Sequence, residues 1–248
     1  TDKLIYDDYI FEQVSVDING KQNGWDVYLE APVAKGLITW VEQKPILLDL
    51  DYIHWPALSD DTEKNGAEKE DVLASIYPNM FPDVDFKVEE IFLGPRNYGK
   101  WQAKLRRQDH SLSLIDIDGR IKKLNVKGDV HWIKHEGENH AIQRTSLDLK
   151  LSSDDIGGVQ KAWMKKPVIE AKNTKVALNF NWPGSPAMVS SEVLTGQASV
   201  SLKDGRFLDA GDTGALSAFG ILNFGAIGRR LRLDFSDVYQ SGLHFDSV

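Results

Sequence analysis

Apolar and polar residues alternate along most of this chain with a period of two. Within Thr174–Trp182, Val176, Leu178, Phe180 and Trp182 fall on one side, while Lys175, Asn179 and Asn181 fall on the other with Ala177. Ala198, Val200 and Leu202 repeat the pattern against Gln197, Ser199, Ser201 and Lys203, and Lys203-Asp204-Gly205 supplies a turn signal. Successive side chains of a strand point to opposite faces, so this spacing predicts strands with one apolar and one wet face. The rhythm starts early: Phe11, Val14, Val16 and Ile18 precede an Asn19-Gly20 turn signal, and Trp25, Val27 and Leu29 answer it. It continues through Gly36–Val41, Pro45–Ile53, Val84–Val88 and Trp101–Arg106. Leu112–Ile117 then turns at Asp118-Gly119 into Arg120–Val126, followed by Val130 and Trp132 in Gly128–Trp132 and by Leu147–Leu151. About fifteen strands are expected, joined mostly by short turns. Short turns favour a long meander over the return connections of a closed Greek-key sandwich.

Two or three short helices interrupt the meander. Lys69–Ile76 is one candidate. Ser153-Asp154-Asp155 reads as the N-cap of a second, Ile156–Met164, which Pro167 stops. Gly214–Leu231 is the third. Its Leu216, Phe219, Leu222, Ala226 and Ile227 follow helical spacing, with Arg229 and Arg230 in the last turn, where the helix dipole favours cations. Such a helix either caps the end of the sheet with its apolar side or faces a membrane with its arginines on phosphate headgroups.

Between Ser59 and Asp71 stand six acids, two lysines and no large apolar residue, which reads as a solvated loop. The expectation is one domain over residues 1–248, with 59–82 as the place where a sub-boundary would fall. Of the 248 residues, 42% are apolar and 27% charged, the balance of a chain that folds. A net charge of -8 argues against general nucleic-acid binding, which needs a basic surface. With no cysteine, disulfides and thiolate metal sites are excluded. No apolar run approaches the ~20 residues that span a bilayer, and no signal peptide is present. The chain begins at Thr1 and stops within a strand-like pattern, so it reads as part of something longer.

Little in the sequence promises chemistry. His131, His135 and His140 cluster with Glu136 and Glu138, but on one strand His131 and His135 would sit about 13 Å apart. A charged hairpin tip is the simpler reading. Asp49 with Asp51, and Asp116 with Asp118, share strand faces as a solvated face requires. No phosphate loop, nucleophile elbow or dinucleotide fingerprint appears. No catalytic residue, metal site or cofactor is therefore expected.

One ordered series of motifs does point to a family. Trp182-Pro-Gly-Ser-Pro186 is followed by Leu202-Lys-Asp-Gly-Arg-Phe207, by Leu222-Asn223, and by Arg229-Arg-Leu-Arg-Leu-Asp-Phe-Ser-Asp-Val-Tyr239 with Gly242 and Phe245-Asp246. This order resembles the C-terminal side of YhdP-type proteins, AsmA-like proteins of the Gram-negative envelope, most fully from Asp129 to Val248. The resemblance implies a sheet curled into an open groove, like a taco, that carries phospholipid between inner and outer membrane and supports outer-membrane homeostasis. It implies a periplasmic location, an inner-membrane anchor in a segment absent here, and envelope protein partners. On that reading Val130, Trp132, Val176, Leu178, Phe180, Trp182, Val200 and Leu202 line the groove. The alternative from a different class is a non-enzymatic β-rich scaffold that recruits partners by strand addition at an exposed edge.

Overall fold

The computed structural model describes residues 3–6, 9–55, 71–137, 142–163, 169–190, 192–208 and 244–247. In chain order the strands are β1 (Lys3–Tyr6), β2 (Tyr9–Glu12), β3 (Ser15–Lys21), β4 (Gly24–Ala31), β5 (Ala34–Val41), β6 (Ile46–Trp55), β7 (Val84–Leu93) and β8 (Arg96–Asn97). They continue with β9 (Lys100–Arg107), β10 (Ser111–Ile121), β11 (Leu124–His135), β12 (Ile142–Ser153), β13 (Ile169–Pro183), β14 (Thr195–Phe207) and β15 (His244–Ser247). One α-helix, α1 (Ile156–Trp163), and the 3-10 turns Pro78–Met80 and Pro186–Met188 are the helical elements among the described residues.

The expected meander is realised as one open sheet. Strands run β3-β4-β5-β6-β7-β9-β10-β11-β12-β13-β14-β15 from edge to edge, with β8 paired to β7 and β1-β2 a separate hairpin. The single departure from antiparallel order is β6 beside β7, which run parallel. Residues 56–83 lie between them, and only a long connection can bring a chain back to start in the same direction. Despite the acidic stretch, β6 and β7 belong to one sheet.

Three turn signals were misplaced for physical reasons. Asn19-Gly20 lies inside β3, and the hairpin turns at Gln22-Asn23, with Asn23 at positive φ. Asp118-Gly119 lies inside β10, and the turn falls at Lys122-Lys123. Both glycines sit opposite a tryptophan on the next strand, Gly20 against Trp25 and Gly119 against Trp101. A Cβ on Gly119 would stand 2.5 Å from the Trp101 ring, so this glycine provides a seat for an aromatic rather than a turn. Lys203-Asp204-Gly205 is likewise no turn. Asp204 takes positive φ and the register shifts there, so the extra residue is absorbed as a bulge and β14 continues to pair.

The helix expected at Lys69–Ile76 is, over its described residues, a turn. The Asp71 carboxylate accepts from the Leu73 amide, and the carbonyls of Leu73, Ala74 and Ile76 face a lysine side chain instead of continuing a helical ladder. Helix α1 forms as expected: Asp155 accepts from the Gly158 amide at 2.8 Å, which marks it as the N-cap.

Candidate functional site

Directly paired residues on neighbouring strands share a face, so the register traces what each side of the sheet presents. One row runs Ile18, Val27, Ile38, Leu48, Phe86, Ala103, then across a bulge to Ile117, Gly128, Leu149, Leu178 and Ala198. It crosses eleven strands, β3 to β14, without a polar residue. At about 4.8 Å per step this is roughly 50 Å of continuous apolar wall. Parallel rows flank it, among them Leu50, Val88 and Trp101, and Val130, Leu147 and Phe180. The opposite face reads Asp17, Tyr28, Leu37, Asp49, Lys87, Gln102, Asp118 and Lys127 along the matching row.

Neighbouring backbones approach closely at two places along this wall. Gly128 has φ +149 and Gly196 has φ +150, values open to glycine, and a Cβ on either would fall about 2 Å from a neighbouring strand's carbonyl oxygen. The apolar wall is not equally covered along its length. At the β3–β5 end Val16, Ile18, Trp25 and Trp40 are exposed, Ile18 by 61%. At the β11–β14 end two elements lie over it. Ile156 and Val159 of α1 pack on Ile121, Leu124, Val126, Ile169, Ala171 and Leu202 at one set of strand ends. Gln160 ties the helix down, its amide donating to the Ile169 carbonyl at 3.0 Å.

A strap formed by residues 71–80 lies at the other set of ends. The side chain of Lys134, fully buried on the apolar side, donates to the carbonyls of Ala74 at 2.5 Å and Ile76 at 2.8 Å, with Leu73 at 3.4 Å. Its ammonium also sits 4.2 Å from the Tyr77 ring centre. Across the strap, Ser185 Oγ donates to Asp71 Oδ1 at 2.6 Å. Ser185 is itself fixed, because its carbonyl accepts from the Trp182 indole at 2.9 Å. The strap thus joins β11 to the turn between β13 and β14.

The sequence profile of the YhdP protein family matches residues 2–248. The chain belongs to the YhdP family. A curated relative, the intermembrane phospholipid transporter YhdP of Escherichia coli (strain K12), is 24% identical over 170 residues, 68% of this chain. That match covers 13% of the relative's length, so the chain spans a small part of it. No solved structure matches.

The eight residues expected to line a groove in this YhdP-family chain all fall on the apolar face. Trp132, Leu178, Phe180, Trp182 and Leu202 are buried, and Val130, Val176 and Val200 are half-buried. Leu194, unforeseen, covers Leu178, Phe180 and Trp182. Leu216, Phe219, Leu222, Arg229 and Arg230 lie outside the described residues, as does His140. His131 is exposed on the polar side, its ring 2.9 Å from Ser113 Oγ, and His135 meets the His110 ring edge-on. Among the described residues no three metal-ligating side chains converge.

Three of the four acids noted in the sequence form surface ion pairs. Asp49 faces Lys87 at 3.3 Å, Asp116 faces Lys104 at 2.7 Å and Asp118 faces Lys127 at 3.2 Å. A bulge separates Asp116 from Asp118, so the two carboxylates are not simple strand neighbours. Asp155 is held below the usual carboxylate range by its bond from Lys123 first and by the Gly158 amide second, against the opposing effect of burial. Among the described residues no helix is long and apolar enough to cross a membrane.

Sequence reading missed Lys134, the Asp71–Ser185 bond and the middle row Leu147, Leu149 and Leu151. The Leu147–Leu151 alternation was visible and could have placed that row. For Lys134, the only signal was a lysine two residues after Trp132, in an apolar phase.

Proposed function

We propose that the apolar face is the wall of an open groove that holds phospholipid acyl chains while headgroups stay in water. In the whole protein this groove carries phospholipid between inner and outer membrane. The observation that supports this most is the unbroken apolar row across eleven strands, exposed at its β3–β5 end. A folded domain rarely leaves such a surface open without a binding role. The relative's printed name, an intermembrane phospholipid transporter, agrees in substrate class.

The physics favours a wall of this kind. Moving a lipid through water exposes two acyl chains, at about 0.8 kcal/mol per CH₂, or roughly 25 kcal/mol for a pair of sixteen-carbon tails. A continuous apolar wall removes most of that barrier by non-directional contact, so transport needs neither a catalytic group nor a cofactor. The lining comprises Val130, Trp132, Val176, Leu178, Phe180, Trp182, Val200 and Leu202 at one end and Ile18, Trp25 and Trp40 at the other. The single domain lies in the periplasm, anchored to the inner membrane through another part of the protein.

Native mass spectrometry of the purified chain, followed by organic extraction, tests this. Phe180 and Leu202 are buried, so charge there would threaten the fold; Ile18→Asp and Trp40→Asp alter exposed positions instead. Co-purified phospholipid that falls sharply in these folded variants supports the groove. A lipid-free chain that also takes up no added labelled phospholipid favours a scaffold.

A further inference from the structure

We propose that the polar face of β11–β14 carries a binding site for a phosphate-type anion, separate from the apolar wall. The row on that face pairs Asp49 with Lys87 and Asp118 with Lys127, and then places Lys127 directly opposite Lys150. Like charges in register across two strands destabilise a sheet. Elsewhere on the surface Lys21, Lys35, Lys87, Lys100 and Lys104 each lie within 3.3 Å of a carboxylate. The side chains of Lys150 and Lys175 have no hydrogen-bond or ion-pair partner among the described residues. A chain of net charge -8 has acids to spare for pairing. Lys172 and Lys203 also oppose each other without a side-chain partner, so what sets this place apart is that three lysines line one dent.

The shape agrees with the charge. Lys127, Lys150, Lys175, Ser152, Ser199 and Ser201 supply the polar groups around a dent of about 280 Å³ whose wall is otherwise apolar. Lys175 stands in register between Ser152 and Ser201, and the small Ala177 opposite Lys150 leaves room at the centre. Two unpaired ammoniums, a third shared with Asp118, and three hydroxyls on two adjacent rows offer many donors to one polyvalent acceptor, which suits phosphate better than a single carboxylate. The nearest acids are committed: Asp118 to Lys127, Asp129 to the Asp116 amide at 2.8 Å, and Asp148 to Asn179 at 3.2 Å. The phosphate could belong to a free anion or to a lipid headgroup, and the two sources are separable.

The test titrates the chain at low ionic strength with inorganic phosphate and pyrophosphate. In a second arm it floats the chain with phosphatidylcholine vesicles, with and without ~30 mol % phosphatidylglycerol. The Lys150→Gln/Lys175→Gln double variant is compared with Lys87→Gln, which removes a lysine paired on the same face. Amide resonances of Ser152, Ser199 and Ser201 report occupancy directly. The expected result is serine shifts with at least one probe, about ten-fold weaker binding in the double variant, and no change in Lys87→Gln. Response to phosphate or pyrophosphate identifies a free anion; response only to phosphatidylglycerol vesicles identifies a headgroup. The double variant relieves the Lys127–Lys150 repulsion, so its melting temperature should match or exceed the parent's, which keeps lost binding interpretable. Absence of binding to either probe overturns the proposal, as does equal weakening in both variants, which would mark a general charge effect.

Discussion

Replacing Lys134 by Met should release the strap over residues 71–80 while leaving the sheet intact. The side chain is fully buried, and its three carbonyl partners all come from that one segment. Methionine roughly conserves the aliphatic volume, so the loss is mainly polar. Two close bonds from a charged donor disappear, each worth about 1.5–3 kcal/mol net. The Ala74 and Ile76 carbonyls then lose their donor. Relief of the ammonium's desolvation offsets part of this. The balance is about 2–4 kcal/mol, felt first as local opening, because Asp71–Ser185 and the bond from the Arg107 guanidinium to the Asn79 carbonyl still tie the two ends of the strap. Hydrogen exchange read by mass spectrometry measures it. The Ile76 and Met80 amides, bonded to Leu73 and Tyr77 carbonyls, should exchange roughly 30- to 1,000-fold faster. Amides of Leu149 and Leu178 in β12 and β13 should keep their protection. If strap amides exchange within about three-fold of the parent in a folded variant, the lysine clasp contributes little and the reasoning fails.

Gly128→Ala should cost about 2–4 kcal/mol in chemical denaturation, because it combines φ +149 with a Cβ 1.9 Å from the Asp148 carbonyl oxygen. Asp155→Ala should lose about 1 kcal/mol through the missing helix cap, visible as a lower melting temperature. The pH dependence of that loss has a definite sign. The Asp155 carboxyl is depressed in the fold, so its stabilisation is present above the unfolded value near 4 and disappears as pH falls through the lower folded value. Parent and Asp155→Asn, which keeps an acceptor for Gly158 without the charge, should therefore differ most near neutral pH and converge under strong acid. Ile18→Asp should leave stability within about 0.5 kcal/mol because the site is exposed, whereas Leu178→Asp should unfold the C-terminal half of the sheet.

Strand existence and face were legible wherever alternation was clean, as in Val176–Trp182 and Ala198–Leu202, because a half-buried strand needs only that period. Turn positions were less legible. Asn-Gly and Asp-Gly dipeptides are ordinary hairpin signals, but here Gly20 and Gly119 sit opposite tryptophans, a tertiary use that local propensity does not encode. The parallel β6–β7 step depends on which strands meet after a long connection, and no local pattern carries it. Lys134 was invisible for a similar reason: its partners lie about 60 residues away and are backbone carbonyls, which have no sequence signature. Likewise Ser185 belonged to a recognisable motif, but its partner Asp71 sat in what read as a solvated acidic loop.

The groove itself is tested most directly by photocrosslinking along one exposed strand. A photoreactive phenylalanine analogue is placed in turn at Val16, Asp17, Ile18 and Asn19 of β3, and the chain is irradiated with radiolabelled phospholipid. The account predicts label at Val16 and Ile18 and little at Asp17 and Asn19, a period of two that only an apolar wall with a lipid on one side produces. Label spread evenly over the four positions, or absent from all of them in a folded chain, would contradict it.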